Sequence, residues 1–100
     1  MPVASRRAPV TVRSDGTAVV LELSDALDPV VGRVLVDAVT SAVATGPERV
    51  DIDLRQLSSW TREGVKALVR CRDICHGLPG GLHYRTGRGP GRDALLAAYS

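Results

Sequence analysis

The segment Val50–Val69, VDIDLRQLSSWTREGVKALV, decides the fold. Apolar and acidic residues alternate over Val50–Leu54, which predicts a β-strand with one polar face. A hydroxyl-rich segment, Arg55–Thr61, follows and predicts a short polar turn. From Arg62 to about His76 the apolar residues recur at helical spacing and predict an amphipathic helix. The stretch therefore predicts an exposed turn that leads into a helix N-terminus, where backbone N–H groups favour negative charge.

Three further elements are predicted before this stretch. Val10–Arg13 and Thr17–Leu23 have the alternation of strands, and the turn between them contains Asp-Gly, which predicts an antiparallel hairpin. Asp28 and Pro29 predict a helix start, because an N-cap aspartate accepts from first-turn N–H groups and proline suits the first helical position. Gly46 and the proline after it end that helix.

Two elements are predicted after the stretch, a strand over Leu82–Arg85 and a short helix over Arg92–Tyr99. The predicted order is thus β-β-α-β-α-β-α. Strand-helix-strand links predict parallel pairs with right-handed crossovers, and strands with one apolar face predict helices mainly on one side. We predict an α/β fold with a mixed four-stranded sheet, in one domain over residues 9–100 that follows a flexible tail of residues 1–8.

Composition narrows the possible functions. A chain of 100 residues that is 44% apolar supports one modest aliphatic core. A net charge of +2 and an aromatic content of 3% give little basis for a nucleic-acid partner. No apolar run approaches the roughly 20 residues of a membrane helix, and no apolar segment of a signal peptide follows the first residues. The sequence predicts a soluble, cytoplasmic protein without membrane insertion.

No catalytic constellation, cofactor site or metal site is predicted. Cys71 and Cys75 share one helix but lack enough further ligands, and two small buried thiols account for them. The loop Gly87–Gly91 lacks the Gly-Lys-Ser/Thr ending of a phosphate-binding loop and predicts a connector. Asp51 and Asp53 share one strand face and are expected on the solvent side of the sheet. We therefore expect a binding protein rather than an enzyme.

Over roughly residues 10–100 the sequence resembles a STAS domain, the fold of bacterial anti-sigma-factor antagonists. Three segments in register carry the resemblance: LD at 27–28, similar to the end of the family's Gly-Glu-Leu-Asp-like segment; DL at 53–54; and GVKAL at 64–68, similar to Gly-Leu-x-x-Leu after Asp-Ser-Ser. The resemblance implies a non-enzymatic interaction domain. It would bind an anti-sigma factor with a kinase-like ATPase fold, a serine kinase of the family, and so regulate transcription.

The sequence departs from the family at the residues that form its switch. Aligned on Gly64, the Asp-Ser-Ser triplet falls on Thr61, Arg62 and Glu63, so the phosphorylatable serine is replaced by Arg62. The glycine of the first segment is replaced by Asp25. Thr61 is a possible alternative phosphorylation site, although a helix N-cap hydroxyl is already engaged. The resemblance then implies binding that is unswitched, or switched at Thr61 or by partner abundance.

The predicted partner-binding surface is the turn and the start of the helix: Ser58, Ser59, Trp60, Thr61, Arg62, Glu63 and Lys66. Trp60 either contributes to an interface or packs under the turn, and packing is favoured. Arg62 opposes the helix dipole, so it is either a contact to an acidic partner or a tolerated surface residue. Glu63 could imitate a permanently phosphorylated state.

Two alternative functions keep the same fold. The chain also resembles accessory subunits of bacterial lipid-transport ABC complexes, in which the domain braces an ATPase. A third alternative is a scaffold subunit of a larger STAS assembly. The sequence leaves the oligomeric state and the identity of the partner open.

Overall fold

In the computed structural model, which describes residues 8–100, the elements follow the predicted order. Residues 1–7, the main part of the predicted flexible tail, lie outside the described residues. The elements are β1 (Val10–Asp15), β2 (Ala18–Leu27), α1 (Pro29–Val43), β3 (Arg49–Trp60), α2 (Arg62–Ile74), a 3₁₀ turn (Cys75–Gly77), β4 (Leu82–Arg85) and α3 (Pro90–Ala98).

The four strands form one mixed sheet in the order β1-β2-β3-β4. β1 and β2 are the predicted antiparallel hairpin, with Val12 opposite Leu21. β3 is parallel to both neighbours, so Val50 lies between Val19 of β2 and Leu82 of β4. The predicted α/β class and mixed four-stranded sheet are confirmed.

All three helices cover the same face of the sheet, and α2 packs against both α1 and α3. The apolar residues of β3 that were predicted to share a face, Val50, Ile52 and Leu54, are fully buried in the core. The core is completed by buried residues of β2 and the helices, among them Leu21, Leu23, Leu27, Leu35, Val39, Leu68 and Ala94. Apart from two cysteines, the buried core thus consists of aliphatic side chains, as the scarcity of aromatic residues requires.

The predicted helix starts are largely confirmed. The Asp28 carboxylate accepts a hydrogen bond from the Val31 N–H at 2.8 Å, and Pro29 is the first residue of α1. The last helix begins two residues earlier than predicted, at Pro90, because its fixed φ suits the first helical position.

β3 is much longer than predicted, and the predicted polar turn over Arg55–Thr61 is wrong. The strand continues to Trp60, which lies opposite Leu27 at the end of β2. Two β-bulges interrupt the pairing of β3 with β2. At the first bulge β3 advances by three residues while β2 advances by two, and at the second β3 advances by two residues while β2 advances by one. The first bulge reverses the alternation, so that both Leu54 and Leu57 face the core.

The second bulge lies next to an unusual backbone conformation. Asp25 has φ +65°, the left-handed region, and it is the one non-glycine residue between 8 and 100 with positive φ. The family that the sequence resembles has glycine here, the residue that adopts this conformation without steric cost. Aspartate is among the few other residues that tolerate it, which accounts for the substitution.

Candidate functional site

The N-terminus of α2 is fixed to the ends of β2 and α1. The Thr61 N–H donates to the Leu27 carbonyl at 3.0 Å, and the Thr61 hydroxyl oxygen accepts from the Gly64 N–H at 2.9 Å. Thr61 is therefore the N-cap, as the sequence predicts, and its hydroxyl already satisfies one of the unpaired N–H groups of the first turn.

Gly64 is at the closest contact between these elements. A Cβ added here would lie 2.7 Å from the Leu27 carbonyl carbon and 2.9 Å from that of Asp28, well inside van der Waals contact. Any side chain would force α2 away from the end of β2. The glycine that anchors the alignment to the STAS pattern is thus required by packing.

All seven residues of the predicted binding surface are exposed. Ser58, Ser59 and Trp60 occupy the last three positions of β3, and Thr61 joins them directly to α2. Trp60 shares features of both predicted alternatives, because 36% of this residue is exposed and the rest is covered by its neighbours. The surface therefore combines the end of a paired strand with the first two turns of a helix.

The charges at the start of α2 are only partly paired. Lys66 Nζ lies 3.1 Å from a Glu63 carboxylate oxygen, and both side chains are about two-thirds exposed. Such a pair contributes at most about 1 kcal/mol, but it partly neutralises the Glu63 carboxylate. Arg62 forms no ion pair within residues 8–100. Its guanidinium is thus exposed beside a helix N-terminus that does not favour it.

Beside this surface, a groove of about 370 Å³ lies between α1 and α2. Its lining residues are Pro29, Gly32, Arg33, Val36 and Asp37 from α1, and Glu63, Lys66, Ala67 and Arg70 from α2. Of these, only Glu63 and Lys66 were among the predicted site residues. The α1 contribution depends on how the helices pack, so the sequence could not supply it. The spacing of Arg62, Lys66 and Arg70, however, could have been recognised from the sequence.

Asp51 and Asp53 lie on the expected face of the sheet, but the expected contact with solvent is wrong. Both lie on the sheet face opposite the helices, yet each residue is only 2% exposed. Arg49 and Arg85 bond to the Asp51 carboxylate at 2.9 and 2.7 Å, and Arg55 bonds to Asp53 at 2.7 Å. Arginine side chains from β3 and β4 therefore cover the two carboxylates on the otherwise open side of the sheet.

These arginines also set the ionisation of the carboxylates. Burial by itself would raise the pKa of Asp51, but hydrogen bonds and charge from Arg49 and Arg85 outweigh it and hold the pKa below 3.8. For Asp53, the hydrogen bond from Arg55 is the main cause of a lowered pKa, and burial opposes it. Both groups are therefore charged at neutral pH and stabilise the fold as ion pairs.

Burial keeps the thiols of both cysteines in the protonated form at neutral pH. Cys71 and Cys75 are fully buried, and burial raises the thiol pKa to about 12 and about 11 respectively. Their expected role as small core residues is confirmed.

Within residues 8–100, no group of three or more His, Cys, Asp or Glu side chains could hold a metal ion. No helix in the same part of the chain is long and apolar enough to cross a membrane.

Comparisons of sequence detect no relative. A scan against protein-family models gives no match, and a search of the curated proteins gives no significant similarity. Comparison with solved structures does detect similar folds. An anti-sigma factor antagonist from Mycobacterium paratuberculosis superposes with a TM-score of 0.71 and 22% identity, covering 90% of this chain and 77% of that one.

Two other solved structures are similar in fold. The anti-sigma factor antagonist SpoIIAA in its unphosphorylated form gives a TM-score of 0.68 at 16% identity, over 87% of this chain and 81% of that one. Mglu gives a TM-score of 0.71 at 16% identity, but the match spans only 21% of the Mglu chain. The fold is therefore STAS-like, the fold of anti-sigma factor antagonists.

Proposed function

We propose that this domain is a non-enzymatic binding protein of the anti-sigma-antagonist type. It would bind an anti-sigma factor through the end of β3 and the start of α2, and so regulate transcription. The observation that carries the proposal is the exposed surface from Ser58 to Lys66, held on a STAS-like fold by the contacts of Thr61 and Gly64 with Leu27. Within residues 8–100, no group of three or more His, Cys, Asp or Glu side chains could hold a metal ion, and burial raises the pKa of both thiols.

We further propose that the binding is not switched by phosphorylation at the usual position. Arg62 occupies that position and has no hydroxyl group. The Thr61 hydroxyl caps α2, so modification there would disturb the cap. Glu63 is a poor imitation of a phosphate, because its single charge is paired with Lys66. Binding would then be controlled by the amounts of the two partners.

A pull-down of the tagged domain from its native lysate, analysed by mass spectrometry, tests the binding proposal. We expect enrichment of a small ATP-binding anti-sigma factor, and we expect the double variant Trp60→Ala/Arg62→Ala to lose it. Leu96→Ala is a matched control, because Leu96 is an exposed apolar residue on α3. Enrichment of ABC-transporter subunits instead would replace the proposal by the lipid-transport alternative.

Phosphorylation of the Arg62→Ser variant tests the proposal that the usual phosphorylation switch is absent at position 62. With the captured anti-sigma factor and ATP, we expect one phosphate at position 62 of this variant and none on the wild-type protein. Arg62→Ala controls for the loss of the guanidinium alone. Phosphate on Thr61 of the wild-type protein would contradict unswitched binding, and an unmodified Arg62→Ser variant would contradict the alignment on Gly64.

A further inference from the structure

One exposed face of α2 carries a row of positive charge. Arg62, Lys66 and Arg70 are spaced by four residues and are all exposed. At a rise of about 1.5 Å per residue, their Cα atoms follow one another at about 6 Å and span about 12 Å along the helix. We call these three residues the basic row. Lys66 is paired with Glu63, whereas the two arginines form no ion pair within residues 8–100.

The basic row borders the groove between α1 and α2, whose floor is apolar. Gly32 and Val36 from α1 and Ala67 from α2 line it. The helices approach closely here, because a Cβ on Gly32 would lie 3.2 Å from the Ala67 Cβ. An apolar floor beside a row of charge is the complement of an amphipathic helix, which has an apolar stripe with charged residues beside it.

The charge around the groove is clearly positive. Its rim and the adjacent row hold four cations, Arg33 on α1 and the three of the basic row, against two carboxylates, Asp37 and Glu63. The groove and the row beside it therefore carry an excess of two positive charges.

On the opposite face of the sheet, arginine side chains already form ion pairs with carboxylates of this chain. Arg13, Arg49, Arg55 and Arg85 each lie within 4 Å of a carboxylate oxygen of this chain. The fold thus uses those four arginines internally. By contrast, Arg33, Arg62 and Arg70 have no such carboxylate within the described part of the chain, so they are available to a partner.

We infer that the groove binds an acidic amphipathic helix of the partner protein. Its apolar residues would lie on Gly32, Val36 and Ala67, and carboxylates spaced by four residues would contact the basic row. Guanidinium groups suit this role because they bind carboxylates in a planar, bidentate geometry. The inference rests on the proposed function and adds to it the chemistry of the surface that the anti-sigma factor presents.

A pair of synthetic helical peptides tests this chemistry without the natural partner. Each has about 18 residues, or five turns, with a leucine stripe flanked by glutamate in one peptide and by lysine in the other. Trp60 is the only tryptophan and lies next to the basic row, so its fluorescence reports binding, with calorimetry as a second readout. We expect the glutamate peptide to bind and the lysine peptide to bind at least about tenfold more weakly.

Charge reversal identifies the residues responsible. Arg62→Glu/Arg70→Glu should weaken the glutamate peptide by at least about tenfold, which corresponds to about 1.4 kcal/mol. Arg88→Glu/Arg92→Glu makes the same change of net charge at two exposed arginines outside the groove lining and should have little effect. Raising NaCl from about 0.05 M to about 0.3 M should also weaken the wild-type complex, because exposed charges are screened. Circular dichroism verifies that the variants fold.

The inference is overturned if both peptides bind equally, if neither binds, or if the two double variants behave alike. Tighter binding to vesicles of equal phosphatidylglycerol and phosphatidylcholine than to the glutamate peptide would also overturn it and assign the basic row to a membrane surface.

The captured anti-sigma factor separates this inference from the proposed function. If it binds the wild-type protein and Arg62→Glu/Arg70→Glu equally, only the groove chemistry is wrong. If no anti-sigma factor binds while the glutamate peptide does, only the proposed function is wrong.

Discussion

Replacing Gly64 by alanine tests the contact that holds α2 in position. In an ordinary helix this change stabilises the protein by about 1 kcal/mol, because alanine is the better helix former. Here the new Cβ would lie 2.7 Å from the Leu27 carbonyl carbon, where about 3.5 Å is comfortable, so the backbone must move by close to 1 Å. Overpacking of this kind costs about 1–3 kcal/mol, and more where backbone atoms must move.

The backbone at this contact resists such a movement. Its position is fixed by the hydrogen bond from Thr61 to Leu27 at 3.0 Å and by that from Gly32 to Asp28 at 2.8 Å. We therefore expect Gly64→Ala to lower the free energy of unfolding by about 2 kcal/mol in total. In a domain of this size that corresponds to a fall in Tm of roughly 10 °C.

Urea unfolding and thermal melts, followed by circular dichroism, measure this effect. Gly77→Ala is the matched control, because a Cβ at Gly77 meets no atom within 4 Å and the residue does not have positive φ. We expect the control to be as stable as the wild-type protein or slightly more stable. A Gly64→Ala protein that is also unchanged or more stable would refute the close approach of α2 to β2, and with it the placement of the binding surface.

Two further predictions concern the strained residue and the buried carboxylates. At Asp25, with φ +65°, the glycine variant should be more stable than the alanine variant by about 1–2 kcal/mol in urea unfolding; equal stabilities would contradict the left-handed conformation. Asp51→Asn should cost about 2 kcal/mol at pH 7, because it removes charged hydrogen bonds to Arg49 and Arg85. Since the pKa of Asp51 in the folded protein lies below 3.8, this contribution is present above that pH and disappears as the pH falls further, so the wild-type and variant unfolding curves should converge in acid. A difference that stays constant down to about pH 2 would contradict the ion-pair assignment.

Elements with strong local signals were predicted well. Asp28 followed by Pro29 specifies a helix start through local hydrogen bonding and a fixed φ, and both residues have the predicted roles. Two other predictions depend only on which face of an element is buried, and both are confirmed. They rest on the apolar alternation of Val50–Leu54 and on the helical spacing that includes Leu68. Gly64 was recognised from the resemblance, while the packing that requires it could be seen only in the structure.

The errors occurred where distant parts of the chain decide the outcome. The end of β3 looked like a turn because its bulges break the alternation between Leu54 and Leu57 and because Ser58 and Ser59 are polar. Pairing with β2 makes this segment a strand in spite of its sequence. Asp51 was expected in solvent because the alternation indicates only a polar face. The pairing of β3 with β4 is what brings Arg85 over this carboxylate.

The length of β3 has a consequence for affinity. Fixing the backbone of one mobile residue costs about 1–2 kcal/mol, so a loop over Ser58–Trp60 would have to lose about 3–6 kcal/mol of conformational entropy when it binds. In this protein the same three residues already belong to a strand paired with β2 as far as Leu27. The ordering cost is therefore met during folding rather than during association. A partner therefore meets a preorganised surface. For equal contacts, this lowers Kd by roughly two to four orders of magnitude relative to a mobile loop.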